Sequence, residues 1–206
     1  MLIEVIYYTL TSNNLYAIQI FLNRGIDVNY CFQGVSLLLL TLLHNGVNEI
    51  SDFLLSQGAK IIDDGEFVVC EDLMLHKLNN RGLTKAMELG YSPLKRDENG
   101  SNYLHSACQN NDLNIVQQLL QSKYKDELLH EKNKDKRTPF TCVATNDILE
   151  EVIDAMLNAG ANINDQDADG NTALLRSCIT MSDDDFNILM DRNADVNIAD
   201  NNGRVR

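Results

Sequence analysis

The chain has 206 residues, a net charge of −13 at pH 7, 44% hydrophobic residues and five cysteines. The acidic balance argues against nucleic-acid backbones and anionic membranes as general partners, and no apolar run approaches the roughly 20 residues that span a bilayer. The hydrophobic content is enough for a buried core, and cysteines without paired spacing favour a reducing cytosol over a disulfide framework.

A regular spacing of turn-forming positions is the strongest signal in the sequence. The successive gaps are 33, 32, 33, 37 and 33 residues between Gly25, Gly58, Gly90, Lys123, Gly160 and Asn193. A period of this length is typical of stacked copies of one small unit. It therefore predicts one elongated repeat solenoid over 1–206. The expected repeats are 1–30, 31–62, 63–94, 97–132, 133–164 and 167–197, with 200–206 beginning a seventh.

The first three copies carry the pattern weakly. The first ends in Gly25–Asn29, the second contains Gly34 and closes at Gly58, and the stretch from Ile61 to Tyr91 is degenerate although it keeps Gly65. The N-terminal helix is unusually apolar, with Leu2, Ile3, Val5, Ile6, Tyr7, Tyr8 and Leu10. We expect one face to pack on the next repeat and the tyrosine rings to cover the rest; the alternative is that a partner packs there.

The sixth copy carries the pattern most clearly. Asp167–Gly170 has turn chemistry, and a first helix is predicted over roughly Ala173–Thr180. Ser182 is a good N-cap for a second helix, with Asp185 three residues on, and Asn193 suits a left-handed helix end. The second helix has an apolar stripe at helical spacing, formed by Phe186, Ile188, Leu189 and Met190.

These units resemble the ankyrin repeat, which begins its first helix with Thr-Pro-Leu-His-x-Ala and ends its second with Gly-Ala-Asp-Val-Asn. The matching pieces are Leu104-His105-Ser106-Ala107, Thr138-Pro139-Phe140, Gly160-Ala161-Asn162-Ile163-Asn164, Thr172-Ala173-Leu174 and Asp195-Val196-Asn197. The resemblance implies an all-α solenoid of helix–turn–helix units with short projecting turns. It also implies a concave binding surface made of turn tips and first-helix faces.

Carrying those surface positions onto this chain gives candidate protein-binding residues in three copies. In the fourth copy they are Arg96, Glu98, Asn99, Ser101, Gln109 and Asn110. In the fifth copy they are Lys132, Lys134, Asp135, Arg137, Thr145 and Asn146. In the sixth copy they are Gln166, Ala168, Asp169, Asn171, Ile179 and Thr180.

Two of these features stand out. Glu131–Arg137 is basic in an acidic protein, Lys136 replaces the usual turn glycine, and the preceding gap of 37 residues predicts a longer loop here. It is either a solvated loop or a contact for an acidic partner segment, with Arg137 as a bidentate donor. Ile179 is an apolar residue on a surface that is usually polar, as binding hot spots often are.

Histidines and cysteines receive structural interpretations. The resemblance implies that His105 ties neighbouring turns together. Cys108, Cys142 and Cys178 lie on first helices and are expected to pack as small apolar residues. We identify no catalytic residue, no cofactor site and no metal site; His44, His76 and His130 lack ligands at metal-binding spacing. Asp183–Asp185 is interpreted as a negatively charged first turn of a helix.

The sequence around Asn197 resembles the site at which ankyrin asparagines are hydroxylated by dioxygenases. Asn29 and Asn164 occupy the same repeat position. We prefer the interpretation that these side chains cap the turns between repeats, and hydroxylation of Asn197 is the alternative.

The leading functional hypothesis is a non-catalytic module that binds a protein partner, with no nucleic acid and no membrane insertion. The alternative is a substrate-recruiting segment of a longer enzyme or secreted bacterial effector, because Asp200–Gly203 begins another repeat and the parent chain is expected to continue past Arg206. A monomer is expected, with end-to-end association as a further alternative. The expected location is the cytoplasm, or the host cytosol if the source is an intracellular bacterium.

Overall fold

A computed structural model describes residues 5, 8–10, 12–32, 34–64, 79–143 and 149–205. Within these ranges the chain is helical apart from one two-stranded ribbon, which confirms the all-α prediction. It divides into two compact units, Met1–Ser92 and Pro93–Arg206, and the prediction of one continuous domain stays a prediction. None of the described helices is both long and apolar enough to cross a membrane.

The first unit pairs short helices around a leucine-rich core. Its described elements are α1 (Leu15–Asn23), β1 (Cys31–Phe32), β2 (Val35–Ser36), α2 (Leu37–Asn45), α3 (Glu49–Ser56) and α4 (Asn80–Glu88). Every residue from Leu37 to Leu43 is buried, as expected of a helix that is apolar on all sides. Side chains of Asn14, Ser36, Asn48 and Asn79 cap the four helices by accepting backbone N–H bonds, since the first N–H groups of a helix lack internal partners.

The second unit repeats the same helix pair. Its described elements are α5 (Tyr103–Gln109), α6 (Leu113–Gln121), α7 (Lys125–His130), α8 (Pro139–Val143), α9 (Glu150–Ala159), α10 (Ala173–Thr180) and α11 (Asp183–Asp191). The bounds of α10 confirm the predicted first helix of the sixth copy. Ser182 caps α11 by accepting from the Asp185 N–H at 3.3 Å, and Asp183, Asp184 and Asp185 form its first turn as expected.

The apolar stripe predicted for α11 is wrong at Met190. Leu189 is fully buried, whereas Met190 is 36% exposed. Successive residues on a helix point about 100° apart, so these two neighbours cannot both face the α10 side of α11.

The 37-residue gap is filled by a helix rather than by a longer loop. The extra residues form α7, in which Leu128 and Leu129 are buried. The Asn102 side chain donates to the Leu128 carbonyl at 3.1 Å, which joins α7 to the start of α5. The expectation of a long loop at Glu131–Arg137 is therefore wrong, because buried leucines recruit the inserted residues into the core.

Gly82 sets the distance between α4 and α2. A Cβ atom at Gly82 would collide with the Leu42 carbonyl and with the Cα of Gly46. The two backbones approach so closely that a side chain would force the helices apart.

We expect Gly82→Ala to lower the free energy of unfolding of the chain by at least about 2 kcal/mol, because overpacking against backbone cannot be relieved by a rotamer change. Arg81→Ala, an exposed position on the same helix, should change it by no more than about 0.5 kcal/mol. Urea denaturation followed by circular dichroism measures both. Equal effects of the two substitutions would contradict the close packing at Gly82.

Candidate functional site

Four turns of the second unit share one geometry, and we call them the first to fourth fingers: 97–101, 133–137, 167–171 and 200–204. In each finger the N–H of the first residue donates to the carbonyl of the fifth, at 2.9 to 3.0 Å. The N–H of the fourth residue donates to the carbonyl of the first, at 2.9 to 3.1 Å. A three-residue loop closed in this way is a common hairpin connection.

In every finger, the side chain of the first residue holds the backbone of that finger in place. This residue is Asp97, Asn133, Asp167 or Asp200, and its Oδ1 accepts the N–H groups of the third and fifth residues at 2.7 to 3.0 Å. Asp and Asn suit this position because a short side-chain oxygen can reach a backbone N–H two residues ahead. The N–H of Arg204, with that of Asn202 and the Arg204 guanidinium, lowers the pKa of Asp200, as expected when bonds favour the charged form.

The fourth residue of each finger has a left-handed backbone. Gly100, Gly170 and Gly203 have φ of 75°, 80° and 75°, and Lys136 has φ of 56°. Residues other than glycine pay roughly 1–2 kcal/mol in this region. The second finger therefore keeps its shape at an energetic cost that the other three avoid.

Backbone hydrogen bonds join the fingers into one row. Each later finger donates to the one before it, through Lys134 N–H to the Asn99 carbonyl (2.9 Å), Ala168 N–H to the Asp135 carbonyl (2.8 Å) and Asn201 N–H to the Asp169 carbonyl (3.0 Å). In every finger, the side chains of the second and third residues are exposed. The row thus presents exposed side chains on a backbone that is bonded both within and between fingers.

His105 connects the first helix of one repeat to the finger of the next. Its Nε2 lies 2.9 Å from the Arg137 carbonyl, and its Nδ1 lies 3.2 Å from the Asn102 backbone nitrogen. A carbonyl only accepts, so Nε2 carries the proton and Nδ1 accepts from Asn102. Burial lowers the pKa of His105 to about 4, which keeps the ring neutral. The structure confirms the expected tie between neighbouring turns.

The candidate binding residues fall into three groups. Exposed positions are Arg96, Glu98, Asn99, Gln109, Asn110, Lys132, Lys134, Asp169 and Ile179. Arg137 is about one-third exposed at its side chain, and Asn171 is buried with 8% exposure, so Asn171 offers little to a partner. Asn146 and Thr145 lie outside the described residues, as do Leu2, Ile3, Ile6, Tyr7, Gly65 and His76. Binding at the exposed positions stays a prediction.

An arginine that sequence reasoning missed stands beside the fingers. Arg176 of α10 contacts the Asp167 carboxylate at 3.0 Å, and the Nε of Arg137 lies 4.0 Å from the same oxygen. Two guanidinium groups therefore share one carboxylate. Arg176 was overlooked because it lies one turn into a helix, and only its position after the Thr172 cap could have indicated it.

Two buried cysteines of the second unit, Cys108 and Cys142, are not arranged for nucleophilic chemistry. Cys108 is fully buried and burial raises the pKa of its thiol; burial also raises the pKa of Cys142 to about 11. Nucleophilic cysteines need the opposite shift. Core packing is confirmed for both, while Cys178 is only half-buried.

The asparagines at the repeat ends do not all behave alike. The Oδ1 of Asn29 accepts the Lys60 N–H at 2.9 Å, and that of Asn164 accepts the Asp195 N–H at 3.0 Å. These two side chains cap the turns between repeats. Asn197 is exposed and its Nδ2 donates within its own turn to Asp195 at 3.0 Å. Hydroxylation of Asn197 stays an untested alternative.

Comparison with known protein families finds a match to this part of the chain. A family model described as ankyrin repeats, in three copies, matches residues 104–200. A search of curated proteins gave no match. The matched region runs from the first turn of α5 to the start of the fourth finger, so it contains the second and third fingers and the helices that carry them.

We expect the stability of the chain to fall as the pH drops from about 6.5 towards 4. The unfolded chain takes up a proton on His105 in this window while the folded chain does not, so the free energy of unfolding decreases by up to about 3 kcal/mol. Urea denaturation across this range measures the slope. His105→Gln should remove this part of the slope, whereas His130→Gln, at an exposed position, should not. An unchanged slope in H105Q would contradict a buried neutral ring.

Lys136→Gly is expected to raise the free energy of unfolding by about 0.5–1 kcal/mol. Glycine removes the left-handed strain, and its greater freedom in the unfolded chain offsets part of that gain. Lys134→Gly in the same finger, where φ is not positive, should instead lower stability. If both glycine substitutions destabilise the chain equally in urea denaturation, Lys136 is not strained.

Proposed function

Residues 104–200 match a family model of ankyrin repeats, and on that premise we propose that this chain is a non-catalytic module that binds a protein partner. The partner lies across the four fingers and the exposed C-terminal ends of the first helices α5 and α10. Ankyrin repeats are generally modules of protein–protein interaction. The finer proposal concerns which surface of this chain makes the contact.

The row of fingers is the observation that carries the proposal. Each finger is closed by its own Asp or Asn side chain and hydrogen-bonded to the next, yet its tip is exposed. A surface held in this way loses little conformational entropy on binding, which leaves more of the contact energy for affinity. Its exposed polar and charged tips supply the rim of an interface.

An apolar anchor lies at the end of α10. Ile179 is 55% exposed and Met181, in a left-handed conformation, is 88% exposed. Apolar anchors within a polar surround are typical of binding hot spots. The proposed interface therefore combines this apolar pair with the charged fingers.

The finer proposal also covers compartment and assembly. Cys31, Cys108, Cys142 and Cys178 are free thiols, which suits the reducing cytosol. We propose a cytoplasmic monomer that recruits one partner at a time. Light scattering over a range of concentrations would contradict the monomer if the mass increased with concentration.

The test compares two surface variants with a matched control. A protein partner is captured from cytosolic lysate on the unaltered chain and purified. Its dissociation constant is then measured for the unaltered chain, for Ile179→Arg and for Lys132→Glu/Lys134→Glu. We expect each variant to weaken binding about tenfold, equivalent to roughly 1.4 kcal/mol, with an unchanged circular dichroism spectrum.

The control is Lys123→Glu/Lys125→Glu, which makes the same change in net charge between the end of α6 and the first residue of α7, outside the fingers. It should bind like the unaltered chain. If both surface variants also bind like the unaltered chain, the partner uses another surface and the proposed site is wrong. A loss of helix in Ile179→Arg would instead identify Ile179 as a packing residue.

A further inference from the structure

The second finger carries a concentrated positive charge in an acidic protein. Lys132, Lys134 and Lys136 are all exposed, and none forms an ion pair with a residue that the structure describes. Asp135 is the one acidic residue between them, which leaves a net charge of +2 over residues 132–136, that is, Lys132 and the first four residues of the finger. The chain as a whole carries −13, so this positive charge is local.

The residues at the base of the second finger also carry a surplus of positive charge. Arg137 and Arg176 share the single carboxylate of Asp167, at 4.0 and 3.0 Å. Two positive charges against one negative charge leave a surplus of one. An anionic side chain that arrives at this finger therefore meets uncompensated cations at both its tip and its base.

The neighbouring fingers have the opposite character. The first finger has Glu98 at its tip, and the third has Asp169. Arg96, beside the first finger, is already paired with Glu131. The fourth finger has only Asn201 and Asn202 at its tip, since Arg204 pairs with Asp200 at 2.8 Å. Along the row the tips are therefore negative, positive, negative and neutral.

The spacing of the tips allows a bound peptide to contact each charged tip separately. Each finger contributes two chain arms, and hydrogen-bonded arms lie about 4.8 Å apart, so tips recur about every 10 Å. The screening length at physiological salt is about 8 Å, so a charge on a partner responds mainly to the tip beneath it. A polyproline II segment advances about 3.1 Å per residue with three residues per turn, so side chains three positions apart lie on one face and span one finger to the next.

We propose that the fingers bind a protein segment in the polyproline II conformation, in which an acidic residue over the second finger is flanked, three positions to each side, by basic residues over the first and third fingers. The inference rests on the proposed function and deepens it by naming the chemistry of the partner. A uniform polyanion such as nucleic acid or an anionic membrane would meet Glu98 and Asp169 on either side, so the alternation favours a peptide.

The test uses the full chain and short labelled peptides in fluorescence anisotropy. The patterned peptide contains Arg-x-x-Glu-x-x-Arg with serine at x. The matched control contains the same residues as x-x-Arg-Glu-Arg-x-x, which has equal charge and order but cannot reach neighbouring tips. We expect the patterned peptide to bind about tenfold more tightly, with a preference that weakens when salt exceeds about 0.15 M.

A charge exchange tests the register of the contact. Lys132→Glu/Lys134→Glu should lose the preference for the glutamate peptide and gain one for Arg-x-x-Lys-x-x-Arg, whereas Lys123→Glu/Lys125→Glu should behave like the unaltered chain. Circular dichroism confirms that both variants fold.

Three results would overturn the inference: equal binding of the patterned and compressed peptides, no binding of either, or tighter binding of an oligonucleotide or anionic vesicle that depends on the same lysines. The first two would leave the proposed function intact if a purified partner still loses affinity for the Ile179→Arg variant. The proposed function fails by a different result: the affinity for the purified partner is unchanged by every substitution on the fingers and on α10.

Discussion

A short side-chain oxygen that accepts two backbone N–H groups is the contact on which the second unit depends. It closes each finger, and a closed finger presents one N–H and one carbonyl to its neighbours in a fixed position. His105 then fastens α5 to the carbonyl of Arg137. Helix, finger and next finger are thereby fixed by a chain of hydrogen bonds rather than by apolar packing alone, which accounts for the Asp or Asn at the first position of all four fingers.

Function and packing use different parts of the same repeat. Leu104, Cys108 and Leu189 fill the core, while the finger tips and the end of α10 carry side chains that the fold does not require to be of any particular charge. The charge pattern of the tips is consequently free to be set by a partner. Lys136 illustrates the division, because it keeps a left-handed backbone that glycine would adopt at lower cost.

Periodicity predicted the architecture well because each repeat must pair its helices and end them in a turn. The bounds of α10 and the cap at Ser182 follow from local rules and were predicted from the residues alone. The role of His105 was predicted from the resemblance to ankyrin repeats. Three features could not be: the burial of α7, the exposure of Met190 and the position of Arg176 beside Asp167. Each depends on which neighbouring element covers a side chain, and a single repeat pattern does not contain that information. The partner-binding role of the tips stays a prediction for the same reason.

The insertion that forms α7 also bears on how such a surface can change over time. The bond from Lys134 to Asn99 spans the long repeat at 2.9 Å, close to the 2.8 and 3.0 Å of the repeats of ordinary length. Added residues have therefore been absorbed without altering the pitch of the row. The length of a repeat and the spacing between finger tips can therefore vary independently in evolution. A helix such as α7 can be gained or lost while a ligand that spans the tips still fits the same spacing.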